Sequence, residues 1–234
     1  MARILLLDTA TEVCSAALSE NGEIVAFKER SDGFRHSELL TIFIGELLQE
    51  TGLSVSQLDA VCVSRGPGSY TGLRIGVSVA KGLCYGLNIP LMAVSSLHSM
   101  ADHVARNFQT WSDSNGDVLL CPMLDARRME IYTALYDRFG KQVSGIKAEI
   151  IHEQSFSGEL GLGEIFFFGN GSHKCKSIIK HPDAHFIDDI SASARFMSRI
   201  AHDSFMNKEF ENIAYFEPFY LKDFVATVPK NKVI

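Results

Sequence analysis

Basic charge is in short supply in this chain. Lysine and arginine total 22 against 28 aspartates and glutamates, for a net charge of −6, and the cations are scattered apart from short clusters such as Arg127-Arg128 and the tail lysines Lys222, Lys230 and Lys232. A protein that grips a nucleic-acid backbone by itself needs a concentrated basic face, so this chain alone is a poor candidate for that role. Cysteines are few as well: Cys14, Cys62, Cys84, Cys121 and Cys175 are an odd number at wide spacings, three of them inside apolar runs. They read as reduced core residues, which excludes a disulfide framework and fits a reducing cytoplasm. Long apolar runs are missing too. Ile4 to Leu7 is stopped by Asp8, too short for a signal peptide, and the uncharged stretch from Gly82 to Ala101 contains Asn88, Pro90 and several serines, which disqualifies it as a membrane span.

Metal and phosphate signatures are incomplete. His181 and His185 are four apart, but Pro182 between them argues against a shared helical face, and His98 with His103, or His173 with Cys175, has no companion pair, so no metal site is expected. No Ser/His/Asp set can be assigned, because such triads depend on spatial adjacency. No catalytic residue is therefore singled out.

Glycine is what the chain has in concentration. Six of its eighteen glycines fall between Gly66 and Gly86, after the apolar run Ala60 to Val63 and at the start of a helix-like segment. A strand-to-helix turn of that composition lets backbone come very close to something else. It is not a P-loop, since no Gly-Lys-Ser/Thr ends it and Lys81 lies well inside the helix. The amides from Gly66 to Gly72 could still cradle a phosphate at the helix N-terminus. Gly72, Gly76 and Ala80, spaced by four, form a smooth strip suited to close approach, either by the chain's own sheet or by a partner. The helix before it carries Leu40, Phe43, Ile44, Leu47 and Leu48 on one face, and Leu39 and Ile42 widen that face beyond what an ordinary surface helix needs. Asp8, Thr9 and Thr11, where the first strand turns into the second, could present a carboxylate and two hydroxyls to a phosphate, or simply bond their own hairpin turn.

Periodicity and breakers predict a repeated order. Strands are expected at 3–8, 13–19, 23–29, 59–64 and 91–94, with helices over 37–51, 71–85 and from residue 95 or 96 to about 107. After a polar linker at 109–116, strands are expected at 118–124, 130–136, 142–150, 165–168 and 184–187, with a weak helical segment before the fourth of these and helices over 172–180 and 191–206. Each half reads β-β-β-α-β-α-β-α. The expected fold is α/β, with two topologically duplicated subdomains, 1–108 and 109–212, a cleft between them, and a C-terminal segment, 213–234, ending in a loose tail from Val225.

Taken together, Ile4-Leu-Leu-Leu-Asp-Thr-Ala-Thr11, His36-Ser-Glu-Leu-Leu40, Ser64-Arg-Gly-Pro-Gly-Ser-Tyr-Thr-Gly-Leu-Arg-Ile-Gly76, Leu124-Asp-Ala-Arg-Arg-Met-Glu-Ile-Tyr132 and Pro218-Phe-Tyr-Leu-Lys222 resemble the TsaB, or YeaZ-like, family. The glycine segment is shared with the larger relative TsaD; the Asp-Ala-Arg-Arg-x-Glu-x-Tyr turn and the compact length point to TsaB. Lys222 stands where that family usually has arginine, and Ala10 where the phosphate hairpin of the actin-like superfamily usually has glycine.

The resemblance implies an actin-like (ASKHA, RNase H-like) fold and a non-catalytic role in making threonylcarbamoyladenosine beside the tRNA anticodon. The implied partners are a TsaD-type catalytic subunit, a TsaE-type ATPase and, when alone, a second copy. Transfer RNA is reached only through the complex, and no membrane is involved. The pairing surface is expected on the first two helices, at Leu39, Ile42, Phe43, Gly72, Gly76 and Ala80, so that Gly76→Leu or Leu39→Asp abolishes the pairing. No cofactor is expected beyond weak nucleotide binding in a vestigial cleft at Asp8, Thr9, Thr11, Gly66 and Gly68. TsaD-type proteins hold a metal through two histidines; the matching positions are Ser96 and Met100, poor replacements for imidazole. An ATP-dependent phosphotransferase and a glycoprotease-like metallopeptidase are the alternatives.

Overall fold

The computed structural model of the protein describes residues 1–31, 33, 35–113 and 116–222. Strands β1 (Arg3–Asp8), β2 (Cys14–Glu20), β3 (Glu23–Arg30), β4 (Ala60–Gly66) and β5 (Leu91–Ser95) form one sheet in the order β3-β2-β1-β4-β5. Strands β6 (Leu119–Asp125), β7 (Glu130–Thr133), β8 (Lys147–Ile150), β9 (Ile165–Phe168) and β10 (Ala184–Phe186) form a second, in the order β8-β7-β6-β9-β10. In each sheet the first three strands are antiparallel and the last two run parallel to the first. The two halves are therefore the same α/β topology used twice, with helices α1 (His36–Thr51), α2 (Tyr70–Leu87) and α3 (Ser96–Arg106) in the first and α4 (Ser157–Leu160), α5 (Ser172–Cys175) and α6 (Ser198–Met206) in the second.

Local chemistry explains the first half well. Asn21 and Gly22 sit at φ 52° and 88°, the left-handed pair that a two-residue hairpin requires. Gly52 ends α1 at φ 67°, with its N–H returned to the Leu48 and Gln49 carbonyls. The Ser69 hydroxyl caps α2 by accepting from the Gly72 N–H, and Ser95 caps α3 in the same way through His98. All five cysteines are free and buried, with Cys14, Cys62 and Cys121 inside strands.

The second half departs further from its sequence pattern. Strand β8 begins at Lys147 rather than near residue 142, because Gln142 makes only an isolated bridge with Tyr136 and the Val143 and Ser144 N–H groups both turn back to the Leu135 carbonyl. Helix α5 is a single turn rather than a helix reaching residue 180. The last helix starts at Ser198 rather than 191: the Ser193 hydroxyl donates to Glu29 Oε2 at 2.6 Å and the Ala194 N–H to Ser15 Oγ at 2.9 Å, so the serines bond to the first half instead of joining the helix.

Those bonds belong to an exchange. Helix α3 packs through Leu97, Met100, Ala101 and Val104 on the second sheet, against Leu120, Leu124, Phe166 and Phe168. Helix α6 and the turn before it return the favour, placing Ala194, Met197 and Ala201 on Ile4, Leu6, Cys62 and Met92 of the first sheet. A cut near residue 108 thus divides the strands between two lobes but separates each of these helices from the sheet it covers. Asp102 of α3, 1% exposed, sits between Arg106, at 2.9 Å, and Arg199 of α6. Asp102→Ala is expected to cost about 1–2 kcal/mol, the range of a charge-assisted bond between half-exposed arginines and a buried acid, read as a shift in the urea midpoint.

Candidate functional site: the cleft between the lobes

The β1–β2 turn is fixed by the glycine helix beneath it. Thr9 Oγ1 donates to the Gly72 carbonyl at 2.8 Å, the Ser69 N–H donates to the Ala10 carbonyl at 2.7 Å, and the Ala10 N–H donates to Asp8 Oδ1 at 2.8 Å. A Cβ on Gly72 would lie 2.1 Å from the Thr9 carbonyl oxygen, and one on Gly76 2.4 Å from Thr9 Oγ1. The small-residue strip is therefore occupied by the chain's own turn, and Ala80 is fully buried in the core beside it. Leu39 and Phe43, each 6% exposed, belong to that same core, whereas Ile42 is 52% exposed. Of the six residues expected at a partner surface only Ile42 faces outward; Gly76→Leu and Leu39→Asp would break the molecule itself before any complex.

Asp8 is equally withdrawn. It is fully buried with Thr9, on the side of β1 that faces the second lobe, beside the Ser64 hydroxyl, which shares a hydrogen bond with Ser96 Oγ at 2.6 Å. Burial raises its pKa from 3.8 to about 6, against the lowering pull of the Ala10 amide and Ser64. Gly66 is packed under the Phe219 carbonyl. Of the residues expected to meet a nucleotide, Thr11 and Gly68 line the open cleft while Asp8, Thr9 and Gly66 do not. Ser96 and Met100 are fully buried, and among the described residues no group of three or more His, Cys, Asp or Glu side chains is placed to hold a metal ion.

The cleft itself has a volume of about 600 Å³. Its first wall is the β1–β2 turn, His36 and the N-terminus of α2 from Pro67 to Ile75; its second is Leu124 to Arg127 with Tyr132 and Asn170. Arg127 and Arg128 occupy φ 72° and 50°, a strained conformation for side-chain-bearing residues. Lys174 holds that turn by donating to the Arg128 and Glu130 carbonyls at 2.8 and 2.6 Å and by pairing with Asp125. Asn170 bridges the walls: its Nδ2 donates to Glu12 Oε2 at 2.7 Å, and its Oδ1 accepts from the Asp125 N–H at 3.1 Å.

A strap closes one side. The Glu211 N–H donates to the Leu91 carbonyl at 2.8 Å, Phe216 enters the first core, the Phe219 N–H donates to the Arg65 carbonyl at 2.7 Å, and Lys222 pairs with Glu130 of the second lobe. Lysine supplies one point contact there, where arginine would offer a fork. Residues 223–234, and with them the tail expected from Val225, lie outside the described residues. Sequence reasoning passed over Glu12, Asn170, Tyr70 and Tyr220 as site residues. No local pattern marks a residue that matters only because two distant segments meet.

Two sheets of identical strand order, joined face to face by exchanged helices around one cleft, define the two-lobed, duplicated α/β class to which actin-like proteins belong. Residues 33–230 match the family profile described as "TsaD: tRNA N6-adenosine threonylcarbamoyltransferase". The chain is 32% identical to the "tRNA threonylcarbamoyladenosine biosynthesis protein TsaB" of Escherichia coli (strain K12), covering 96% of each protein. It is 30% identical to the protein of the same name from Haemophilus influenzae, covering 95% of this chain and 94% of that one. Among solved structures, YeaZ from Pseudomonas aeruginosa superposes with a TM-score of 0.78 at 26% identity, over 94% of this chain and all of the other. This chain belongs to the TsaB family. No helix among the described residues is long and apolar enough to cross a membrane.

Proposed function

We propose that this protein is a cytoplasmic subunit of the machinery that installs threonylcarbamoyladenosine in tRNA, and that it acts by binding and supporting a TsaD-type catalytic subunit rather than by chemistry of its own. The observation that carries the reading is the end-to-end likeness to the TsaB proteins, which are named for that biosynthesis. The withdrawal of Asp8 supports the non-catalytic part: a carboxylate that is fully buried and sealed from the cleft is badly placed to hold a nucleotide's metal. The same argument disfavours the phosphotransferase alternative, which a calorimetric titration with millimolar ATP tests directly. The buried Ser96 and Met100 likewise disfavour a metallopeptidase.

The surface that fits a partner is the outer side of α1 and α2. Ile42 is 52% and Tyr85 84% exposed, and Gly45, Gly82 and Gly86 have nothing within 4 Å of a Cβ position, so another protein's helices can come close there. A second copy uses this face when no catalytic subunit is present, and a TsaE-type ATPase joins the assembled pair. In pull-downs with the TsaD-type subunit, Ile42→Asp and Gly82→Trp should each weaken capture at least tenfold while the unfolding midpoint stays near that of the parent. Undiminished capture by both variants rules out this face.

A further inference from the structure

The mouth of the cleft is lined by tyrosines and cations. Tyr70, the first residue of α2, lies 4.8 Å centroid to centroid from Tyr220 of the strap, with the ring planes at 37°. The Arg74 guanidinium stands 5.2 Å from the Tyr70 ring centre, and its Nη1 donates to the Tyr70 hydroxyl at 3.1 Å. Across the gap are Tyr132 and Arg127, with Lys222 beside them. We propose that this cleft takes an unpaired nucleotide of a single-stranded RNA segment, with the base against the tyrosines and the flanking phosphates on Arg127 and Arg74.

Three observations carry the assignment, which rests on the tRNA-modifying role proposed above. Aromatic faces beside arginines are the sequence-tolerant platform on which unstacked bases rest. Of the carboxylates bordering the cleft, Glu130 is paired with Lys222 and Asp125 with Lys174, which leaves the Glu12 charge to be set against Arg127. The cations also extend along the surface instead of converging on one point: Arg74 is exposed on α2, one turn beyond Tyr70 and outside the cleft lining, where it meets a strand that continues past the bound nucleotide. A free mononucleotide shares the base and phosphate chemistry but has nothing to place at Arg74. Direct contact of this kind replaces the purely indirect tRNA role that the family resemblance implies.

The test is fluorescence anisotropy of a labelled, unstructured 12-nucleotide RNA titrated with the full-length protein in complex with its catalytic partner, alongside the same sequence as a blunt duplex. The single strand should bind at least tenfold more tightly than the duplex. Log affinity should fall with log salt at a slope of about −1.4, as two phosphate contacts on a single strand require. Arg127→Glu and Tyr220→Ala should each weaken binding at least tenfold and Arg74→Ala about threefold, with Arg127→Gln as the milder variant if the charge reversal folds poorly. Co-purification with the catalytic subunit should be unchanged for Arg127→Glu and Tyr220→Ala, because these residues lie on the second lobe and the strap, away from the outer side of α1 and α2; loss of capture in the parent protein overturns the subunit reading instead. Variants within twofold of the parent overturn the RNA proposal. So does sensitivity of ATP binding, but not RNA binding, to Arg127→Glu, which identifies a free-nucleotide site.

Discussion

Gly72→Ala should destabilise the protein by about 3 kcal/mol or more, and Gly82→Ala, ten residues along the same helix, should stabilise it by about 0.5–1 kcal/mol. Both changes gain the same helical propensity. They differ in what the new methyl group meets: the Thr9 backbone oxygen at 2.1 Å in the first case, open space in the second. A backbone carbonyl in a turn pinned by three hydrogen bonds has nowhere to move, and the Thr9 hydroxyl bond to Gly72 would be lost with it. Urea denaturation of the two variants beside the parent reads the contrast directly. A loss of less than 1 kcal/mol for Gly72→Ala would mean that the turn does not sit on this helix.

Asp8→Asn is expected to stabilise the protein in alkaline solution and to do little in acid. The folded-state pKa of about 6 lies above the unfolded value of 3.8, so between these pH values the native state holds more protons than the unfolded chain. Stability contributed by the neutral acid is therefore present below about pH 4 and lost as pH rises through 6, a change of about 3 kcal/mol at most for a fully buried group. Asparagine keeps the shape and never ionises, so at pH 8 the variant should exceed the parent by up to that amount, and at pH 4 the two should converge. His103 acts in the opposite sense: stacked 3.8 Å from Phe196, its imidazole is pushed down to about 4 by burial, and the protein loses that stability as pH falls from 6.5 towards 4. The two slopes overlap in the parent's own pH profile, which makes the difference between parent and Asp8→Asn the informative measurement.

Elements specified by adjacent residues were legible in the sequence. The Asn21-Gly22 hairpin, the Gly52 stop and a cap at Ser95 or Ser96 follow from local backbone chemistry, and the duplicated strand order follows from the succession of apolar runs and breakers. Features decided by distant partners were not. The spacing of Gly72, Gly76 and Ala80 announced a close approach but could not say by what; the answer, Thr9, is more than sixty residues away. The serines ahead of α6 have the composition of a helix start, yet Glu29 and Ser15 of the other lobe claim Ser193 and Ala194. The cleft was expected from the topology, and its actual lining was hidden for the same reason: Asn170 and Tyr220 acquire meaning only when the second lobe and the strap reach the first.

The exchanged helices also set a schedule for the ribosome. By the time β5 has emerged, the first sheet has all its strands, but the face formed by Ile4, Leu6, Cys62 and Met92 must wait for residues 194–201, about a hundred residues later. During that interval the nascent chain carries a bare greasy sheet that no part of itself can shield, a species that invites aggregation. The core of the first lobe is therefore completed only when the last helix is delivered, and a chain ending before residue 194 leaves that sheet face uncovered.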